Sequence, residues 1–459
     1  MSARPVSLSD KIAAHTANFQ FEDLPSSIVR SVKHVLLDAV GVMLGASGLS
    51  REVQPFLEYA RNAGEGPSTI LGTGLSAPPA TAALVNGAMA HALDYEDAFD
   101  PAPGHPNASL VPALIALAQS AGPVDGRRFL AALAVGGDLS CRLAIALDRQ
   151  MEEGNWYPPP ITAGFGATAG ASSLIGLDPV DVRDALSLAL CQITMPGEIK
   201  YSPRSSIRAI REGFPAQAAV QSVLLAQAGV AGFERPLEGK GGFYSLYALG
   251  AFDEHRLLDR LGERFWQDEL TFKPWPSCRG THPFIEAALE WRRGGGHPDD
   301  IASVKLLIDP VQQMLVEPLA RKAAPQLAIN AKFSIPFCTA LALIRGSVSL
   351  EDFEPDNIRD PGILELAGLC HYEIAPRDDW QRGAGGALIV TQRNGESREI
   401  AVGKALGAPS RPMSEADLRA KFIACCGKSA ACLGHGDAER LADAILGIET
   451  AMNAGAIFE

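Results

Sequence analysis

From residue 79 to residue 230 the chain is a succession of segments that are apolar on nearly every helical face: ATAALVNGAMAHALDY, NASLVPALIALAQSAG, DGRRFLAALAVGGDLSCRLAIALD, ITAGFGATAGASSLIGL, DPVDVRDALSLALCQI and FPAQAAVQSVLLAQAGV. A helix that is hydrophobic all round has no face to give to water, so it belongs inside a large bundle. These segments are also dense in Ala, Gly and Ser, whose small side chains allow neighbouring helix backbones to approach closely. Upstream, SLSDKIAAHTANF and SSIVRSVKHVLLDAVGVMLGA carry apolar residues at helical spacing. Nothing before about residue 265 alternates like a strand.

The texture changes near residue 270. TFKPWPSCRGTHPFIEAALEWRR reads as a proline-stiffened loop entering a helix, and SVKLLID, HYEIAP and GALIVTQRNGESREIAVG read as strands, with Asn394-Gly395 as a hairpin turn. AINAKFSIPFCTALALIRG and NIRDPGILELAGLC lie between them and look helical. Amphipathic helices return in MSEADLRAKFIACC, where Ser414 and Asp417 form a capping-box pattern, and in DAERLADAILGIETAM. At 459 residues the chain has room for two or three domains. The expected fold is mainly α: a large all-helical domain built from both chain ends (1–268 and 408–459) and a smaller α+β domain at 269–407.

Composition removes several functions. A formal net charge of −13, with no long Lys/Arg run, excludes nucleic acid as a partner. The opening stretch lacks the apolar core of a signal peptide, and no later apolar run free of charge suggests a membrane span, so the expected location is cytoplasmic. Eight cysteines in so long a chain form no disulfide framework; Cys141, Cys191, Cys338 and Cys370 sit in apolar surroundings as small hydrophobes. Cys425, Cys426, Cys432 and His435 lack the paired spacing of a structural zinc site and read as helix packing, so no metal is expected. Gly164, Gly166 and Gly170 follow no strand and therefore make no dinucleotide loop.

Against this apolar background stand four polar islands. HALDYEDAFDPAPGH holds His91, Asp94, Glu96, Asp97, Asp100 and His105; GNWYPPPIT holds Tyr157; GEIKYSPRSSIRAIREG holds Lys200, Arg204, Arg208 and Arg211; KPWPSCRGTH holds Lys273, Ser277, Cys278, Arg279 and His282. Each sits where a loop meets a helix start, where backbone N–H groups favour an anion. A surface role is the ordinary one for any single Arg, and His91 reads as a hydrogen-bonded helix residue. Taken together, guanidinium groups match carboxylates bidentately and a histidine near neutrality takes a proton, a set suited to proton transfer at a carbon next to a carboxylate. That chemistry needs no redox cofactor.

The first island, with Gly104-His105-Pro106 and Pro112 after it, resembles the signature of the MmgE/PrpD family, which usually reads H-x-x-D-[FY]-D-D-T, then G-H-P-[ST], then P-A. KPWPSCRGTH, AKFSIPFCTALAL and GAPSRPMSEADLRAKF resemble three further family motifs in the same order. The resemblance implies a helical domain, an α+β lid, a homodimer and a small di- or tricarboxylate substrate. It implies Asp94, His105 and His282 as site residues, the histidines serving as acid and base; from the basic islands themselves, Arg208, Arg211, Arg279, Lys273, Ser277 and Cys278 are expected to hold substrate. The expected reaction is elimination by a dehydratase of the 2-methylcitrate type. There are departures: Ala98 where the family often has threonine, Arg208 where decarboxylases and many dehydratases have a lysine, Arg211 in place of a histidine, and Tyr157 near the place of another. These leave two other readings, an epimerase of the iminodisuccinate type using Tyr157 and Lys200, and an inactive carboxylate-binding relative.

Overall fold

The computed structural model describes residues 6–102, 104–202 and 204–459; the first five residues of the opening stretch, 103 and 203 lie outside the described residues. The chain is mainly α with some β, and it divides into two compact units. The first holds the described residues up to Ala92, together with Glu96–Leu270 and Ser414–Glu459; the second holds Leu93–Tyr95 and Thr271–Met413.

In the first unit the small-residue segments form helices Pro79–Ala92, Pro106–Ser120, Gly126–Ile145, Pro158–Ile175 and Gly213–Gln227. They pack on one another: Pro158–Ile175 lies against Gly126–Ile145 and Pro106–Ser120, and Pro79–Ala92 against Gly213–Gln227. Glycine sets the distance of approach. A Cβ on Gly166 would stand 2.4 Å from the carbonyl oxygen of Gly136, and one on Gly213 would stand 2.4 Å from that of Leu84. No larger residue fits either place without moving a helix.

Helix Ser26–Leu49 is long and apolar enough to cross a membrane, and 78% of its most apolar window is buried in the protein. It carries Asp38, which pairs with Lys421 of the C-terminal helix Glu415–Cys426 at 2.6 Å. That helix starts with the capping box read from the sequence, Ser414 with Asp417.

In the second unit the strands run in the order Cys370–Ile374, Ile301–Ile308, Gly386–Gln392, Ser397–Val402. The first pair is parallel, with Val304 opposite Cys370, and the other two are antiparallel, with Val304 opposite Val390 and Leu388 opposite Ile400. Gly395 takes φ +89° in the turn between the last two strands, a conformation glycine adopts without a Cβ clash. Helix His282–Arg293 packs on that antiparallel pair and on helix Ile335–Arg345.

Three expectations need correction. The N-terminal half contains a hairpin, Ser68–Ile70 with Leu75–Ala77; strands of three residues are too short for alternation to register. The segment 328–345 is two helices, because Pro336 lacks the N–H that a continuous helix would give to the Lys332 carbonyl, and Ser334 caps the second helix through Phe337 N–H. Cys191 is exposed, whereas Cys141, Cys338 and Cys370 are buried as expected.

The Asp38–Lys421 pair yields a stability test. Lys421→Met strands a buried carboxylate and is expected to cost about 3–5 kcal/mol. The double variant Asp38→Leu/Lys421→Met is expected to recover most of that loss in urea denaturation.

Candidate functional site

The first island is built around one carboxylate. His91 ends helix Pro79–Ala92 and is buried, and its Nδ1 meets Glu96 Oε1. His105 is the N-cap residue of helix Pro106–Ser120, whose first residue is proline, and its Nδ1 lies 2.9 Å from the same Glu96 Oε1 and 2.9 Å from the Asp97 carbonyl oxygen. Both partners of His105 Nδ1 are acceptors, so in the neutral ring that nitrogen carries the hydrogen and Nε2 the lone pair. The side chains of His91 and Glu96 are sealed at 0% exposure, but His105 retains 13%. Of these three side chains His105 is therefore the one with access to solvent.

The charged surroundings are also buried. Asp97 accepts from Asn107 Nδ2 at 3.0 Å, and burial pushes its carboxyl up to about 7, with the charges of Asp38 and Glu96 adding to the rise. Glu212 Oε2 accepts from Ser109 Oγ at 2.7 Å, and its Oε1 lies 3.2 Å from Arg211 Nε. Burial raises the Glu212 carboxyl as well, against the pull of Arg211 and His105.

Arg211 leads to the second and third islands. Its guanidinium lies 5.1 Å from the centre of the Tyr157 ring, and Lys200 Nζ lies 5.4 Å from that centre. Tyr157 is the N-cap residue of helix Pro158–Ile175, anchored by its N–H to the Met195 carbonyl at 2.8 Å. Like His105 it precedes a proline at the start of a buried helix. Lys200 is also 3.8 Å from Glu152. Arg208 sits in the short helix Ile207–Ile210 with 9% exposure, and its carbonyl accepts from Arg211 Nη1. Arg211 is fully buried in this network, where it forms an internal ion pair with Glu212. A cavity of about 380 Å³ opens along the same segment, walled by Ile193, Met195, Ile199, Ile207, Phe214 and Pro215 among others; its wall holds none of the acid–base candidates.

The fourth island belongs to the second unit, as does Asp94. Asp94 takes φ +49°, and Lys273 Nζ holds it twice, at its side-chain Oδ1 (2.5 Å) and at its carbonyl oxygen (3.0 Å). Lys332 Nζ donates to the Leu93 carbonyl and Tyr95 Oη to the Pro274 carbonyl. Arg279 donates to the carbonyls of Leu406 and Ala405. Ser277 Oγ pairs with Thr281 Oγ1, and Cys278 N–H donates to the Lys332 carbonyl. His282 is buried, with Nε2 donating to the Ser277 carbonyl and Nδ1 facing Arg279 Nη1 at 3.4 Å. Protein groups thus face both ring nitrogens of His282, which holds the loop 277–282 in shape.

The side-chain ligand atoms of His91, Glu96 and His105 fall within 4.8 Å of one another. Ligands around a tetrahedral zinc stand about 3.3 Å apart, from Zn–N distances of about 2.0–2.1 Å. The contacts here are shorter, as hydrogen bonds are. Cys425 and Cys426 are buried in helix Glu415–Cys426 as expected of packing residues, whereas Cys432 and His435 are exposed, which corrects the expectation for those two.

Sequence reading missed Glu96 as the shared partner of two histidines, and missed Glu212 and Asn107 altogether. Glu96 lay within the quoted island, but its spacing from His91 and His105 does not by itself fold the three together. Glu212 had no signal beyond its place next to Arg211.

The raised Asp97 carboxyl has a consequence for stability. Its folded value lies above its unfolded one, so its contribution is fully present below about pH 4 and is lost as pH rises through about 7. Asp97→Asn is expected to remove that pH dependence, gaining relative to wild type by up to a few kcal/mol between pH 4.5 and pH 7.5 in urea denaturation.

Two family models match the chain: the MmgE/PrpD N-terminal domain over residues 10–255 and the MmgE/PrpD C-terminal domain over residues 275–446. The chain is 27% identical over 426 residues to a cis-aconitate decarboxylase-like protein, oryM, of Aspergillus oryzae, covering 87% of this chain and 86% of that one. It is 26% identical over 440 residues to the cis-aconitate decarboxylase of Mus musculus (91% and 86% covered) and 25% identical over 438 residues to that of Homo sapiens (91% and 87% covered).

Proposed function

Because the chain belongs to the MmgE/PrpD family along most of its length, we propose that it is a lyase acting on a small polycarboxylate by proton transfer at a carbon next to a carboxylate. Elimination of water, as in a 2-methylcitrate dehydratase, is the first choice. The observation that carries this reading is the placement of His105 Nδ1 2.9 Å from both Glu96 Oε1 and the Asp97 carbonyl oxygen, which favours the tautomer with the lone pair on Nε2.

His105 Nε2 takes the α-proton. The C–H electron pair becomes the new double bond as the C–O bond on the adjacent carbon breaks, and the departing oxygen takes a proton from Tyr157 to leave as water. The imidazolium and phenolate then exchange the proton through solvent. Lys200 and Arg211 near the Tyr157 ring stabilise the phenolate. Arg208 clamps a substrate carboxylate and takes up charge developing on it. Lys273, Arg279, Ser277 and Cys278 keep the Asp94 loop and the 277–282 loop in form. No redox cofactor enters, and the working assembly in this reading is a homodimer.

Two observations favour other branches. The relatives named above are decarboxylases or decarboxylase-like. Arginine at 208 stays protonated where the resembled decarboxylases and many of the dehydratases have lysine, so in either branch it holds a carboxylate and does not serve as a base. Tyr157 beside Lys200 would also suit an epimerase that removes a proton on one face and returns it on the other.

The test is turnover of 2-methylcitrate and cis-aconitate by the purified chain. Loss of water from 2-methylcitrate, without CO₂ release from cis-aconitate, is expected; CO₂ release would move the assignment to decarboxylation. His105→Ala is expected to lower kcat about 10³-fold with the fold intact by circular dichroism, and a near-normal rate removes His105 as base. Tyr157→Phe is expected to slow water loss. If instead it abolishes solvent deuterium exchange at a chiral substrate carbon and spares elimination, the epimerase reading prevails.

A further inference from the structure

We propose that Glu96 is the positioning residue of the site: its single oxygen Oε1, held by His91, fixes His105 in the Nδ1–H tautomer and balances the imidazolium formed when His105 takes a proton. This rests on the reading of His105 as base and goes beyond it, because it assigns the group that makes that histidine basic at the correct nitrogen.

The geometry is specific. The two imidazole rings, with centroids 5.1 Å apart and planes tilted by 52°, turn their Nδ1 atoms to the same carboxylate oxygen. An ionised carboxylate only accepts, so each Nδ1 that bonds it carries a hydrogen. A neutral imidazole left to itself exchanges between two tautomers, only one of which leaves Nε2 bare. Glu96 removes the choice at His105, and the Asp97 carbonyl, 2.9 Å from the same nitrogen, reinforces it.

His91 has a different task. It is sealed from solvent, and its contact with Oε1 keeps the carboxylate aimed at His105 before any proton moves. A charge that is already oriented needs no rearrangement when its partner becomes cationic, and low local dielectric makes the interaction strong.

The other charged groups around His105 are accounted for. Glu212 is paired with Arg211, Asp38 with Lys421, Asp97 is pushed up to about 7 by burial, and Asp94 stands two residues before Glu96 with its carboxylate on Lys273. Glu96 is the carboxylate in direct contact with the His105 ring.

This chain also has glutamate where the resembled motif has aspartate. One more methylene carries the carboxylate about 1.5 Å further from the backbone.

The experiment is ¹⁵N NMR of ring-labelled histidine in the intact chain, with His105 assigned by its loss in His105→Gln. In wild type His105 is expected as the Nδ1–H tautomer with a bare Nε2. In Glu96→Gln the Nε2–H form is expected to grow and the His105 titration midpoint to fall by about one unit, a ten-fold weaker hold on the proton. With 2-methylcitrate, kcat is expected to fall about 100-fold or more, with KM within three-fold and the acidic limb of the pH profile displaced with the titration. Glu96→Asp, which keeps the charge but retracts it, is expected to fall between and serves as the readout if Glu96→Gln does not fold.

An unchanged tautomer and midpoint in both variants overturns the proposal. The result separates from the reading it rests on. If His105→Ala retains turnover while Glu96→Gln still shifts the tautomer, the base assignment fails and the positioning contact stands. If His105→Ala is dead and Glu96→Gln is normal in both spectrum and rate, the reverse holds.

Discussion

Backbone-to-backbone contact between glycine-bearing helices is the constraint on which the rest of the first unit depends. Gly166 faces the Gly136 carbonyl and Gly213 faces the Leu84 carbonyl at separations that leave no room for a Cβ. These contacts fix where helix starts fall. Helix Pro158–Ile175 begins directly after Tyr157, helix Gly213–Gln227 directly after Arg211 and Glu212, and helix Pro79–Ala92 ends on His91 and Ala92. A bundle spaced by larger side chains would place each of these groups further from its partners, and the network from His91 to Lys200 would open.

The polar network inside this apolar unit is sustained by pairing. Asp38 has Lys421, Glu212 has Arg211 and Ser109, Asp97 has Asn107, and Glu96 has two imidazoles. A buried charge without such a partner would cost several kcal/mol. The same burial that makes pairing necessary gives the site its chemistry, since a carboxylate out of water acts strongly on a neighbouring ring. In the proposed reaction stability and proton transfer draw on one set of contacts, and burial pushes the carboxyl of Asp97, inside that set, toward neutrality.

The sequence-predicted groups differ in how far the hydrogen bonds of the chain itself engage their side chains. His105 and Tyr157 each cap a buried helix, and each keeps part of its side chain for other contacts. Lys273, Arg279 and His282 spend their hydrogen bonds on Asp94, on the carbonyls of 405–406 and on the Ser277 carbonyl. Residue type had suggested anion binding for the cations and acid–base work for the histidine. Type alone does not reveal which carbonyls a loop brings within reach.

What the sequence alone determined is what local periodicity and turn chemistry dictate: the buried small-residue helices, the strands at 301–308 and 386–402 with their Asn394-Gly395 turn, the capping box at Ser414, and the presence of a histidine and acids in the 91–105 stretch. The hairpin at 68–77 was too short to show itself, and the break at Ser334 was hidden in a continuous apolar run. Only the tertiary structure decided that Glu96 stands between two histidines, that Glu212 meets Ser109 across 103 positions, and that His282 is fully engaged. Hydrogen bonds and burial depend on distances between segments remote in the chain, and those distances are set by how helices pack, which no spacing within a single segment encodes.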